Sequence, residues 1–319
     1  MTTPFDDMHC EYGSASGAHF EDCAWVARRW RDAYGTTLSD SDFYICGIDP
    51  SLNVVWWGPW PNIIPALWRA LPSGSVYVPD ASQRSVHVYD DLMSRNPSTI
   101  RRFDLGFAPE GIWGLDEEHI YCWGIRQEGP GKQVPHLAMF DGREWVAMPA
   151  PSYFITKIHG LAPDLLYAAG RGGMARWDGR QWNELPMPSG EILSDVFVAG
   201  ADEIYATGYN GALLEGTANG FSVITRTIDD RLPFACVAKF AGELFVGGRS
   251  LGLYKRIGKT DQLDHIKPNI HASSFEVRAG QLIITTPSKI VGTADGQSFF
   301  SVAADTVLNG TNTVDIFER

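Results

Sequence analysis

One pattern recurs along this chain about every 40 residues, and it limits the possible folds more than any other feature. It is clearest over residues 161–182. There, residues 165–168 form an apolar run, 170–173 a small-residue loop, 174–177 a second extended run, and Asp178 with Gly179 a tight turn. Asp-Gly supplies the positive φ that a tight hairpin needs, so each copy is read as strands joined by turns. The strand ahead of each small-residue loop has an apolar centre: Tyr77, Tyr121, Tyr167, Tyr205, Phe245 and Ile283, spaced 44, 46, 38, 40 and 38 residues apart. A unit of this size cannot bury its own face and must stack on its neighbours. A period near 40 with strand composition fits a four-stranded propeller blade, and the strands exclude helical solenoids of similar period.

Within each unit the strand before the centre ends in small residues, as at Gly114, Gly160 and Gly200, and is assigned to the crowded inner edge. The turn after the third strand is Asp141-Gly142 ahead of Trp145, Asp178-Gly179 ahead of Trp182, Asn219-Gly220 ahead of Phe221, and Asp295-Gly296 ahead of Phe299. The aromatic that follows each turn is expected to cover the wedge between blades. Six centres give six blades. Residues 42–57 and 304–317, each with two strands' worth of apolar residues, are expected to join as a seventh that closes the sheet edges. Seven blades are favoured, with six or eight open. The expected organisation is residues 1–40 as an N-terminal extension and 41–319 as a single propeller domain. Over 18–34, Phe20, Cys23, Ala24, Ala27 and Trp30 fall at helical spacing ahead of Gly35, which predicts a short amphipathic N-terminal helix.

The balance of 26 basic against 38 acidic residues gives a net charge of −12, which disfavours nucleic acid and anionic membrane as partners and favours a basic protein. The first residues lack a basic stretch followed by an apolar one, so a cytoplasmic location is expected. The five cysteines, without any CxxC pair, are read as reduced thiols, and no cofactor is called for. The eight histidines show no ligand spacing, so no metal site is expected. No nucleophile elbow or phosphate loop occurs, and no catalytic residue is assigned.

The turns of the type Asp-Gly-x-x-Trp and the strands around Tyr167 and Tyr205 resemble bacterial β-propellers of the BNR-like and WD40/YVTN-like kind, over about residues 62–301. Residues 293–299, Thr-Ala-Asp-Gly-Gln-Ser-Phe, approach the sialidase Asp-box but place Asp and Gly side by side. Propellers of this kind include glycosidases, assembly factors, scaffolds and immunity partners of polymorphic toxins, so the resemblance implies fold rather than activity.

Binding loops are expected at one mouth. Four residues past each centre lie Ile125, Arg171, Tyr209, Arg249 and Pro287, with Arg126 and Lys132 bounding the longest such loop. Arg126, Lys132, Arg171, Tyr209 and Arg249 are therefore candidate binding residues, able to grip carboxylates through guanidinium forks. Asp116, Glu117, Asp164 and Asp202 fall in the opposite hairpins, which leaves a glycosidase without its carboxylate pair. Trp56, Trp57 and Trp60 form either a buried blade junction or an exposed hot spot. The expected function is a non-catalytic, monomeric protein-binding propeller, most concretely an immunity-like protein that neutralises a basic bacterial effector toxin. The alternatives are a glycan-active propeller using Arg171, Tyr209 and Arg249, and an assembly factor or scaffold.

Overall fold

The structure, a computed structural model, describes residues 9–30, 41–48, 54–60, 62–90, 100–188, 190–227, 232–303 and 314–317. Its strands fall into seven antiparallel sheets taken in chain order. The first holds β1 (His9–Ser16), β2 (Ala24–Trp30), β3 (Asp42–Ile48) and β4 (Val54–Trp60), and the second β5 (Trp68–Arg69), β6 (Val76–Asp80), β7 (Ser85–Tyr89) and β8 (Ile100–Asp104). Next come β9 (Ala108–Asp116), β10 (His119–Gly129), β11 (Lys132–Phe140) and β12 (Trp145–Met148), then β13 (Ile155–Ala162), β14 (Leu165–Gly170), β15 (Gly173–Trp177) and β16 (Trp182–Glu184). The fifth has β17 (Leu193–Gly200), β18 (Glu203–Gly208), β19 (Ala212–Thr217) and β20 (Gly220–Arg226), and the sixth β21 (Cys236–Phe240), β22 (Glu243–Gly248), β23 (Gly252–Arg256) and β24 (Leu263–Lys267). The seventh has β25 (Ser274–Arg278), β26 (Gln281–Thr285), β27 (Lys289–Thr293), β28 (Phe299–Ala303) and a fifth strand, β29 (Val314–Phe317). The fold is an all-β, seven-bladed β-propeller. The chain divides into two compact units, residues 1–104 with 276–319, and residues 105–275.

Seven blades are present, but two of them are not built as the sequence suggests. Of the helix expected over 18–34, the described residues 18–30 hold only the three-residue 3-10 turn Phe20–Asp22, with β2 beginning at Ala24; residues 31–34 and Gly35 lie outside the described residues. Hence residues 9–30 form half of the first blade rather than an extension preceding it. The blade expected to combine 42–57 with 304–317 is likewise corrected. β3 and β4 complete the first sheet with β1 and β2, and β29 pairs with β28 at the edge of the last. The reason is burial on both faces of β2. Trp25 packs with Tyr12, Tyr44, Ile283 and Ile290, whereas its neighbour Val26 packs on the other side with Phe43, Ile45, Val76 and Val78. A strand enclosed on both sides reads as a continuous apolar run, which the helical period also matches.

The third-to-fourth strand turns fall where expected, as four-residue loops over 141–144 and 178–181, and the structure adds why aspartate leads them. Asp141 Oδ1 accepts the backbone N–H groups of Arg143 and Glu144, both at 2.9 Å. Asp178 does the same for Arg180 and Gln181, and Asp295 for Gln297 and Ser298. Two backbone donors on one carboxylate hold it ionised, and the Asp295 carboxyl falls to about 2. The glycine then takes φ +91 at Gly179 and +71 at Gly296, which a side chain would resist. Trp182, after its turn, donates from Nε1 to Pro149 O at 2.9 Å and so ties its sheet to the preceding one.

Within the 105–275 unit the first strands of successive blades are stitched by equivalent bonds. Thr156 Oγ1 donates to a carbonyl, with Leu193 O and Ala169 O both at 3.0 Å, and Ser194 Oγ lies 2.9 Å from Phe234 O. Val198 N–H donates to His159 Nδ1 at 3.1 Å, and Val237 N–H to Asp195 Oδ2 at 3.0 Å. The His159 ring sits between Trp113 and Phe197, with centroids 5.0 and 4.6 Å away, and burial holds its pKa down at about 3.

Burial also lifts Asp195, to about 6, against the opposing pull of Lys157. Because its folded pKa exceeds the unfolded value near 4, the native state keeps a proton that the unfolded chain releases. Stability from this group is present in acid and lost as pH rises from about 4 through 6. Relative to wild type, Asp195→Asn is therefore expected to gain about 3 kcal/mol across that window. Urea unfolding at a series of pH values measures it, and His159, common to both proteins, cancels in the difference. A difference that does not change between pH 4 and 7 refutes the assignment.

Candidate functional site

The 105–275 unit holds a solvent-open cavity of about 700 Å³ at the end of its blades where second strands turn into third strands. Ile125, Arg171, Tyr209 and Arg249, four positions singled out by their common offset from the strand centres, all line it. The placement follows from the backbone. Arg171 N–H donates to Phe154 O at 3.0 Å and Tyr209 N–H to Ile192 O at 2.8 Å, equivalent bonds that fix each turn against the strand entering its own blade. Tyr209 is half exposed where it lines the cavity, and Ile192, whose carbonyl accepts the Tyr209 N–H, is 46% exposed and lies outside the lining.

Arg126 and Lys132 do not line the cavity. The loop expected between them is the end of a long hairpin, with β10 and β11 paired as far as Gln127 with Gln133 and Gly129 with Lys132. Strand alternation puts Arg126 on the face opposite Ile125. Both cations bind Glu128, Arg126 Nη2 and Lys132 Nζ each at 2.9 Å, and these bonds hold the Glu128 carboxyl at about 2.

Sequence reasoning missed Glu110, Gln133, Thr156 and Ser194 in the cavity wall. Glu110, Thr156 and Ser194 occupy the same place on β9, β13 and β17, a register that becomes legible only once each inner strand is paired with its centre. Partial desolvation by its neighbours raises the Glu110 carboxyl above its usual range although the residue is exposed to solvent, while the Arg171 guanidinium pulls it down. Arg171 makes no side-chain hydrogen bond or ion pair among the described residues. Trp123, Phe154 and Phe234 give the cavity an aromatic wall, with Trp123 and Phe234 buried. Asp116, Glu117, Asp164 and Asp202 stay outside it, so Glu110 is the one carboxylate among the described lining residues.

Trp56, Trp57 and Trp60 belong to β4 in the other unit. Trp57 and Trp60 pack against the cluster containing Phe43, Ile45 and Ile64, whereas Trp56 is half exposed and meets Tyr44 edge-on at 5.7 Å. Packing takes two of the three. Among the described residues no cluster of histidine, cysteine or carboxylate side chains could hold a metal ion.

No protein-family model matches the chain, and no curated protein matches it. Solved structures do. The WD40 β-propeller domain of Doa1 superposes with a TM-score of 0.67 at 8% identity, covering 97% of this chain and 93% of that one. PorZ, a surface component of the type-IX secretion system of Porphyromonas gingivalis, gives 0.57 at 12% identity over 98% of this chain and 38% of its own. The C-terminal WD40 domain of Sif2 gives 0.54 at 11% identity, covering 87% and 93%. At such identities the likeness concerns architecture alone, and this chain has the fold of a WD40-like β-propeller.

Proposed function

We propose that this propeller binds another protein through the cavity rim of its 105–275 unit. The observation that carries this is exposed Tyr209, which lines the cavity together with Arg171 and Arg249 and is bonded through its backbone N–H to the similarly exposed Ile192. Exposed aromatics bordered by arginine are the residue types that dominate binding energy at interfaces. In its most concrete form the protein is a cytoplasmic immunity protein that occludes a basic bacterial effector toxin, with the net charge of −12 drawing the partner in. The test is capture from the native organism by wild type and by Ile192→Asp/Tyr209→Ala, at low and raised salt, with the retained protein identified by mass spectrometry. A stoichiometric basic partner that salt weakens and the double variant loses by about tenfold or more is expected. Its identity separates an effector from the subunits of a larger assembly. Retention of nothing, or equal retention by the variant, removes the reading.

A glycan-active reading draws on one observation, the presence of Glu110 beside Arg171 in the same cavity. Glycoside hydrolysis ordinarily needs a second carboxylate across the sugar. Release of nitrophenol from aryl glycosides, abolished by Glu110→Gln, would favour it over the binder.

A further inference from the structure

We infer that the 105–275 cavity is a binding site for a carboxylate-bearing ligand with an apolar or aromatic body, held by Arg171 and Arg249. The inference goes beyond the protein-binding reading and does not depend on it. Binding of a small acid by the purified chain and capture of a partner from extract are separate measurements.

On a chain with 38 acidic and 26 basic residues, two arginines face one carboxylate among the described lining residues. Arg171 brings five N–H donors in a planar fork and uses none of them in a side-chain hydrogen bond or ion pair among the described residues. Arg171 and Arg249 stand exposed at the mouth of this aromatic-lined pocket, where a guanidinium can meet a carboxylate through a bidentate pair of charge-assisted bonds.

Glu110 selects among anions. A dianion such as phosphate would meet its negative charge, whereas neighbouring residues partly desolvate the carboxyl and raise its pKa, which eases its protonation beside a bound carboxylate. Once protonated, it can donate its O–H to a ligand carboxylate, and the two acids share a proton while Arg171 holds the remaining charge. The rest of the wall fits an organic body. Trp123, Phe154 and Phe234 supply aromatic surface, and Thr156 and Ser194 add hydroxyls to the lining, each already bonded within the protein, Thr156 to the carbonyls of Ala169 and Leu193 and Ser194 to Thr207 Oγ1 and the Phe234 carbonyl. At about 700 Å³ the volume falls in the range of small-molecule sites.

The carboxylate could come from a free acid or from a chain terminus, and the test separates the two. Titration calorimetry on the full chain would compare three matched pairs: phenylacetate with phenylacetamide, glucuronate with glucose, and a short peptide ending in phenylalanine with its amidated form. At least one acid is expected to bind saturably and about tenfold or more above its neutral counterpart. Arg171→Gln should remove that preference by a similar factor while its melting curve matches wild type. Glu110→Gln should strengthen carboxylate binding near neutral pH and flatten its dependence on pH. Binding only by the peptide acid assigns the site to a chain terminus, and binding by phenylacetate or glucuronate to a free acid. The inference fails if no acid saturates, if acids and neutral counterparts bind alike, if Arg171→Gln retains full affinity, or if inorganic phosphate alone outcompetes every carboxylate.

Discussion

Replacing Trp25 with alanine is expected to lower the free energy of unfolding by about 4 kcal/mol, the range for truncating a fully enclosed aromatic. Trp25 has no exposed surface and packs against Tyr12 at 5.7 Å and against Ile283 and Ile290 of the last sheet. The value also separates two readings of one stretch. On a helix that buries Phe20, Cys23, Ala24, Ala27 and Trp30, position 25 would face solvent, and its truncation would cost about 0.5 kcal/mol or less. Trp56→Ala, half exposed on β4, is the internal control and should stay near that lower figure. Urea unfolding followed by circular dichroism measures both. If Trp25→Ala proved as mild as Trp56→Ala, β2 would not be a core strand.

Gly170→Val is expected to cost about 3 kcal/mol or more, because the strain falls on backbone that cannot turn aside. A Cβ at Gly170 would stand 2.2 Å from Phe154 O and 2.7 Å from the Tyr153 ring. Phe154 O also accepts the N–H of Arg171 at 3.0 Å, so any shift that relieves the clash moves the arginine of the cavity. The variant should therefore lose carboxylate binding under conditions where it is still folded. Gly200→Ala is the contrasting case. Its nearest neighbour would be Glu203 Cβ at 3.6 Å, an ordinary contact, and the change should stay within about 1 kcal/mol. Thermal unfolding of the two variants checks the difference. Equal melting temperatures would show that Gly170 is chosen for something other than the approach of Phe154.

These expectations rest on features with unequal visibility in the amino-acid order. The repeat and its Asp-Gly turns are local. Asp178 reaches the N–H groups two and three residues on, and Gly179 needs only its own φ, so neither depends on the rest of the chain. The alignment of Ile125, Arg171, Tyr209 and Arg249 on one cavity was legible for the same reason: equal offsets from equivalent strand centres fall at the same end of successive blades. Arg126 was misplaced because a long hairpin and a long loop share glycine and proline, and the pairing of Gln127 with Gln133 is set by contacts across two strands.

By itself, then, the sequence determined that the chain is an all-β repeat of four-stranded units, where each unit turns, and which residues recur at one end. Periodicity of side chains and positive φ at glycine are properties of neighbouring residues, and they survive without any partner. Only the tertiary structure decided that residues 9–30 are the first half of a blade, that β29 adds a fifth strand to the last, and that Glu110 stands in the cavity with Arg171. Those outcomes turn on what covers each face. A run such as Ala24, Trp25, Val26, Ala27 satisfies helix and strand alike until Ile290 closes over one side and Val76 over the other.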